Sequence, residues 1–528
     1  MRRSERNWCL AYAFVLAVLT TLPYLLAYAS EGEAWRFSGF LFGVEDGNSY
    51  IAKMLQGANG AWLFRTPYTA QDQTGVVAFL PYLLLGKLAS GEAMHEQLVA
   101  LYHLFRIVSI PLAVWATYRF IARFVDEIQW RRWATLLATA GGGLGWLLLL
   151  ATEGSLLGSG PLEFYSPETF GFLSIYGIPH LVLARALLLF GLTAYLDAAG
   201  KASKSWKAGG FLAFLALVQP LTVLVGYAVI GAHLIAVASS ARKGELRATL
   251  APWLKVIGRI LLVSGPLVVY FAFSFLFDPF LRTWTDQNLI LSPHPVHYLL
   301  AYGALLPLAF LGGRKLLRTG SVNVLLPITW VVLIPALAYA PHNLQRRLPE
   351  GAWVALVALS AAGLAAWKAS PLGRRILAGS LLGLSLVSAI VLVGGGGMLA
   401  LAPRQPVFLP VDQVRAFQRL GERAEFGEVV LASYATSNAL PAWAPLRVVA
   451  GHGPESADLE TIQPRVNGFY DERTPDSERL TLLDLFVVRY VIWGPEERNL
   501  GAWQPSEAGF LREWIDTEAY RIFVVDAD

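Results

Sequence analysis

The sequence predicts a multi-pass α-helical membrane protein with a C-terminal α/β domain outside the cytoplasm. Three observations predict it. Apolar residues make up 55% of the chain and charged residues only 15%, against about 25% in soluble domains. Apolar stretches near the ~20 residues that a crossing helix needs alternate with short basic loops. The charge also divides: residues 1–402 carry 30 Lys and Arg against 18 Asp and Glu, and residues 403–528 carry 12 against 20. The basic excess lies in short loops, as expected of cytoplasmic loops under the positive-inside rule. That placement argues against a nucleic-acid partner, whose footprint is a basic stripe on a soluble face.

Taken in order, the apolar stretches give about eleven transmembrane helices. The first, Trp8 to Ala29, follows Arg2, Arg3 and Arg6 and leads outward. Ala27-Tyr28-Ala29 has the form of a signal-peptidase site, but the apolar run exceeds the ~7–15 residues of a signal sequence, so an uncleaved helix is expected. The second, Gln97 to Phe124, returns to Arg119, Arg123, Arg131 and Arg132; the third is Trp133 to Ala151. The fourth, Pro179 to Ala198, returns to Lys201, Lys204 and Lys207. The fifth and sixth form a tight pair from Gly209 to Ala241, turning at Gln219-Pro220. Trp253 to Phe277, Val296 to Leu311, Val322 to Ala340, Gly351 to Trp367 and Ile376 to Leu401 complete the set. An odd count puts the N-terminus in the cytoplasm and the C-terminus outside the plasma (inner) membrane, in the cell envelope. The glycine runs Gly141–Gly143 and Gly394–Gly397 fall in spans, where close helix packing is their expected role. The single cysteine, Cys9, excludes an intramolecular disulfide and a Cys-based metal site.

Residues 403–528 change grammar. Glu428 to Ser433, Leu446 to Ala450, Phe486 to Trp493 and Tyr520 to Val525 read as short strands. Val411 to Ala424, Asp476 to Leu485 and Ser506 to Glu518 read as helices. Alternation of the two predicts one small α/β domain.

The chemistry-bearing stretch is GVEDGNSYIAKMLQGANGAWLF, Gly43 to Phe64, in the first outside loop. Ile51, Met54, Leu55, Ala58 and Trp62 fall on one helical face, with Lys53, Gln56 and Asn59 elsewhere. A helix this short cannot span, so it is expected to lie in the membrane interface. Asp46 or Asn48 stands where an N-cap belongs, and on the plain reading Asp46 caps the helix while Glu45 is solvated. On the functional reading Asp46 is a general base held at the membrane surface, beside low-dielectric surroundings that raise a carboxyl's pKa.

An outside acidic pair follows the first span. An amphipathic helix with Tyr50 four residues after Asp46 comes next, then an apolar outside helix with Pro81-Tyr82-Leu83-Leu84, then a span holding Arg106. This order resembles the GT-C superfamily of membrane glycosyltransferases. The protein mannosyltransferase and aminoarabinose-transferase branch is the most similar. Glu45, Asp46, Tyr50 and Ala52 carry the match; the family's Asp-Glu order is inverted here, and Asp46 keeps the spacing to the tyrosine. The Trp-Trp-Asp-Tyr-Gly motif of oligosaccharyltransferases is absent. The resemblance implies a polyprenyl-phosphate-linked sugar donor, transfer outside the cytoplasm with inversion, and activation of an unknown acceptor by Asp46 or Glu45.

Such a reaction needs cations at the leaving phosphate. Arg346 and Arg347, in PHNLQRRLPEG between two spans, fall outside against the charge trend. They snorkel to outer-leaflet headgroups or pair with Glu350, or else they clamp the lipid phosphate. Lys53 and Arg65 are lesser substrate-binding candidates, with Tyr50 beside them. Arg106 and Arg185 fall near span ends, where snorkelling and function are both open. His294 and His297, in SPHPVHYLL, have a spacing that suits a divalent cation shared with Asp46, a substrate contact or a plain loop; no metal or cofactor is assigned. The aromatic loop Glu163 to Tyr176 reads as an interfacial belt. Two rival functions stay in view. A transporter or flippase of lipid-linked substrates needs midplane charges or repeats, and no span has an acid at its centre. A non-catalytic envelope protein would use the tail to bind a partner.

Overall fold

The apolar stretches expected to cross the membrane are largely helical, with a break at residues 141–144 in the third. The computed structural model describes residues 2–199 and 204–526; Lys201, placed in the loop after the fourth span, lies outside them. Among the described residues eight helices are long and apolar enough to cross: Arg3–Ala29, Met94–Ile121, Pro179–Ala198, Pro220–Ser240, Leu246–Phe277, Pro295–Leu317, Gln345–Ala366 and Pro371–Ala400. Ile128–Ala140 and Gly145–Ala151 are bent by 49° at the Gly141–Gly143 run and make a ninth if they form one span. Ser205–Val218 and Val322–Ala338 are apolar but shorter, so the expected eleven stand at eight or nine by length and composition. The chain is a multi-pass helical membrane protein.

It divides into two compact units. The first comprises Met1–Thr21, Phe105–Ala272 and Ile290–Gly395; the second comprises Leu22–Leu104, Phe273–Leu289 and Gly396–Asp528.

In the first unit, one of the two expected glycine runs does pack closely: a Cβ on Gly143 would come within 2.4 Å of the Ala301 carbonyl. A Cβ on Gly312 would come within 1.9 Å of the Leu359 carbonyl, and one on Gly363 within 2.0 Å of Leu308's, so only glycine lets these two helices approach. Gly394, Gly395 and Gly397 face open space instead. Neither arginine placed inside a span snorkels. Arg106 is fully buried and donates to the hydroxyls of Thr20 and Thr21, both at 2.9 Å. Arg185 is buried and holds Glu350 through two bonds, at 2.6 and 3.1 Å. The aromatic loop is not a belt throughout: Phe170, Phe172 and Tyr176 are buried.

The second unit is built on a five-stranded sheet in the order β4-β3-β5-β7-β6. These strands are β3 (Val429–Leu431), β4 (Arg447–Val448), β5 (Val488–Trp493), β6 (Leu511–Asp516) and β7 (Arg521–Val525). A separate two-stranded ribbon pairs β1 (Trp35–Phe37) with β2 (Phe408–Pro410), joining the first loop to the start of the tail. β4, β3 and β5 run parallel, while β7 is antiparallel to β5 and β6. The expected helices at Val411–Arg423 and Asp476–Leu485 form. The helix expected from Ser506 to Glu518 does not: Leu511–Asp516 is a strand, because pairing with β7 outweighs local helix propensity. Two cores cover the sheet's faces, one around Phe417, Val430 and Ile492 and the other around Val466, Phe469 and Val491.

Candidate active site

The acidic pair opens a helix over Val44–Ala58, led in by Gly43 at φ 57°. Both acids therefore sit in its first turn, where the helix dipole favours negative charge. Asp46 is inside the helix, and the N-cap position falls on Gly43 instead of on Asp46 or Asn48. Both faces of the helix are largely covered by the protein itself. Ile51, Met54 and Leu55 are buried, but so are Asn48, Ser49 and Lys53 on the face expected to be polar. A neighbouring helix, Leu80–Gly86, lies so close that a Cβ on Gly57 would approach the Leu83 carbonyl to 2.0 Å. Ala52 joins the core of the tail with Phe417 and Leu440. Trp62 lies beyond the helix and is exposed.

The polar face is buried because the tail supplies partners for it. Lys53 donates to Glu455 at 2.6 Å and to Ser49; Ser49 and Thr66 donate to the two Glu455 oxygens at 2.6 and 2.7 Å. Burial alone would raise Glu455's pKa, but the charges of Lys53 and His452 and these bonds outweigh it and hold the carboxyl below its usual range. Asn48 donates to Asn438 at 2.8 Å, and Asn438 in turn donates to the Gly451 carbonyl at 2.9 Å.

At the open end of the helix the two acids differ. Glu45 Oε1 accepts from the Tyr434 hydroxyl at 2.5 Å and from the Gly453 amide at 2.9 Å. Asp46 is 66% exposed, and its Oδ1 lies 3.4 Å from Nε2 of the buried His452. The acid stands at the open end of its helix. Burial works against a proton on His452, but Glu455 and the contact with Asp46 outweigh it and raise the imidazole above its usual range. His452 also packs on Tyr68, with ring centroids 5.3 Å apart.

The sequence did not single out Tyr434, His452, Gly453 or Glu455. Their common feature is position: Tyr434 follows β3, and residues 451–455 follow β4. These are carboxyl ends of parallel strands, and the chain passes from β4 on one side of β3 to β5 on the other. Ligand sites of open α/β sheets form at such ends. A histidine flanked by glycines just after an expected strand was the available signal.

Among the other candidates, Tyr50 stacks on Tyr82 at 4.8 Å. Arg65 is exposed and donates to the Gln73 carbonyl at 3.2 Å. In the first unit, Arg347 pairs with Glu168 at 3.3 Å, and the Arg346 guanidinium lies 4.6 Å from the centre of the Tyr165 ring. Glu350 pairs with Arg185, not with either of them. His294 accepts from the Val296 amide at 3.3 Å, capping the helix Pro295–Tyr302. His297 is buried and its Nε2 donates to the Leu156 carbonyl at 2.8 Å. No cluster of three or more metal-ligating side chains is present among the described residues.

The fold is similar to the GT-C fold of solved membrane glycosyltransferases. The chain is similar to the oligosaccharyltransferase of Archaeoglobus fulgidus, at 12% identity and a TM-score of 0.58, over 94% of this chain and 70% of that one. It is similar to the arabinofuranosyltransferase AftD from Mycobacteria, at 13% identity and a TM-score of 0.56, over 97% of this chain and 40% of that one. ArnT from Cupriavidus metallidurans matches at 12% identity and a TM-score of 0.49, over 97% of this chain and 98% of its own. No protein-family model matches the chain, and neither does any curated protein.

Proposed function

We propose that the protein is a glycosyltransferase that takes a sugar from a polyprenyl phosphate and transfers it, with inversion, outside the cytoplasm. The observation that carries the reading is the exposed Asp46 carboxylate on a rigidly packed helix, 3.4 Å from His452. In this reading Asp46 accepts the proton of an acceptor hydroxyl. The hydroxyl oxygen attacks the anomeric carbon, the carbon–oxygen bond to the phosphate breaks, and polyprenyl phosphate leaves with that bond's electron pair. Glu45, held by Tyr434 and Gly453, shapes the same corner. Arg346 and Arg347 are assigned to the lipid phosphate by charge. The fold neighbours support the donor class: the Archaeoglobus oligosaccharyltransferase AglB was solved with a dolichol phosphate.

The test is a panel of polyprenyl-phosphate sugars presented to the reconstituted full chain, reading release of polyprenyl phosphate. Release from at least one donor is the expected result. Movement of intact donor across the bilayer without release would establish the transporter reading instead.

A further inference from the structure

A charged cavity lies in the first unit, formed by residues that the proposed transfer does not use. Its volume is about 470 Å³, and Glu5, Arg119, Arg123, Arg131, Asp197 and Lys204 line it. They come from the ends of several helices: the start of Arg3–Ala29, the last turn of Met94–Ile121, the start of Ile128–Ala140 and the end of Pro179–Ala198.

Four cations face two carboxylates, and both carboxylates are already engaged. Glu5 accepts from Arg131 at 2.9 Å, from the Tyr118 hydroxyl at 2.7 Å and from the Arg2 amide at 2.7 Å. Asp197 pairs with Arg123 and, at 3.5 Å, with Lys204. Arg119 is exposed, and among the described residues no carboxylate lies within ion-pair distance of it. It stands four residues before Arg123, a spacing at which like charges repel. Basic loops satisfied by solvent alone would spread apart. These cations instead ring one concavity of a size that holds small ligands.

We propose that this cavity binds a phosphate-bearing anion. Arginine presents paired donors that match phosphate oxygens, and basic pockets between membrane helices recognise phosphorylated lipid headgroups. Arg119 and Lys204 supply the contacts, and the Arg123–Asp197 and Arg131–Glu5 pairs hold the wall. The ligand is either an anionic lipid headgroup or a soluble phosphate.

The test uses the full chain in detergent with a fluorescent short-chain phosphatidylglycerol, its phosphatidylcholine counterpart, and inorganic phosphate as competitor. Phosphatidylglycerol should bind more tightly than phosphatidylcholine, and raised salt should weaken it. Arg119→Gln and Lys204→Gln should each reduce its affinity about tenfold, the weight of one charged hydrogen bond. Arg314→Gln, at the basic end of the helix Leu306–Leu317 and outside the cavity, should change nothing. Melting temperature checks that each variant is folded. Displacement by millimolar inorganic phosphate assigns the site to a soluble phosphate, and resistance to it assigns the site to a lipid; either supports the proposal. Equal binding of both lipids by the native chain overturns it, and so does unchanged phosphatidylglycerol affinity in folded Arg119→Gln and Lys204→Gln.

Discussion

Glu45–Asp46 and Arg346–Arg347 are both charged dipeptides at element ends, one in each unit, and they are held in opposite ways. The acids are held by donors that leave their charge in place: a tyrosine hydroxyl and a backbone amide on Glu45, and a histidine beside Asp46. The arginines are partly spent. Arg347 already faces Glu168, and Arg346 lies over the Tyr165 ring. The acid corner therefore keeps its negative charge, whereas an anion reaching Arg347 must compete with a carboxylate.

The largest expected effect is on what holds the acid corner. Glu455→Ala removes the partner of the fully buried Lys53. Leaving a buried charge uncompensated costs about 3–5 kcal/mol, so the melting temperature should fall steeply. Glu455's lowered pKa also means that its contribution is present above the ordinary carboxyl value and lost as pH falls through the folded value. Acid lability on that account should vanish in the variant, and an unchanged melting curve would mean that the buried pair does not anchor the helix.

Next comes the arginine pair. Arg346→Ala with Arg347→Ala should weaken binding of a polyprenyl phosphate more than tenfold, since each charged hydrogen bond is worth ~1.5–3 kcal/mol. Unchanged binding in the folded variant would assign both to headgroup contacts. Glu168→Gln sharpens the contrast, because it removes the competing carboxylate. It should raise affinity for the same ligand by a few-fold, within the ~0–1 kcal/mol of a partly exposed ion pair, and a loss of affinity would show that Glu168 positions Arg347.

The smallest effect is at His452. Its folded pKa is raised, so its stability contribution is complete below the ordinary histidine value near 6.5 and is lost as pH rises through the folded value. His452→Gln should lower the melting temperature at pH 6 and leave it nearly unchanged at pH 9. An equal loss at both would identify packing against Tyr68 as its role.

The legibility of each part follows from how local its cause is. Membrane helices are recorded in consecutive apolar residues, and the Val44–Ala58 helix in the spacing of Ile51, Met54 and Leu55. The burial of Lys53 is not, because its cause is Glu455, 402 residues away. Tyr434 reaches Glu45 across 389 residues. No periodicity within a window reports such a contact. The same limit explains Leu511–Asp516, whose strand state depends on β7, and Arg185, whose burial depends on Glu350. In the candidate site the acids and their helix are legible in the sequence, and the tail residues that hold them are not.

The central claim is that Asp46 is the base. Asp46→Asn preserves shape, and Asn accepts a helix-terminal N–H about as well as Asp. On a polyprenyl-phosphate sugar that the native chain turns over, the variant should keep its melting temperature and lose ~10²–10⁴ in turnover, with Glu45→Gln losing less. Full turnover in folded Asp46→Asn would contradict the account, and a dead Glu45→Gln beside it would move the base to Glu45.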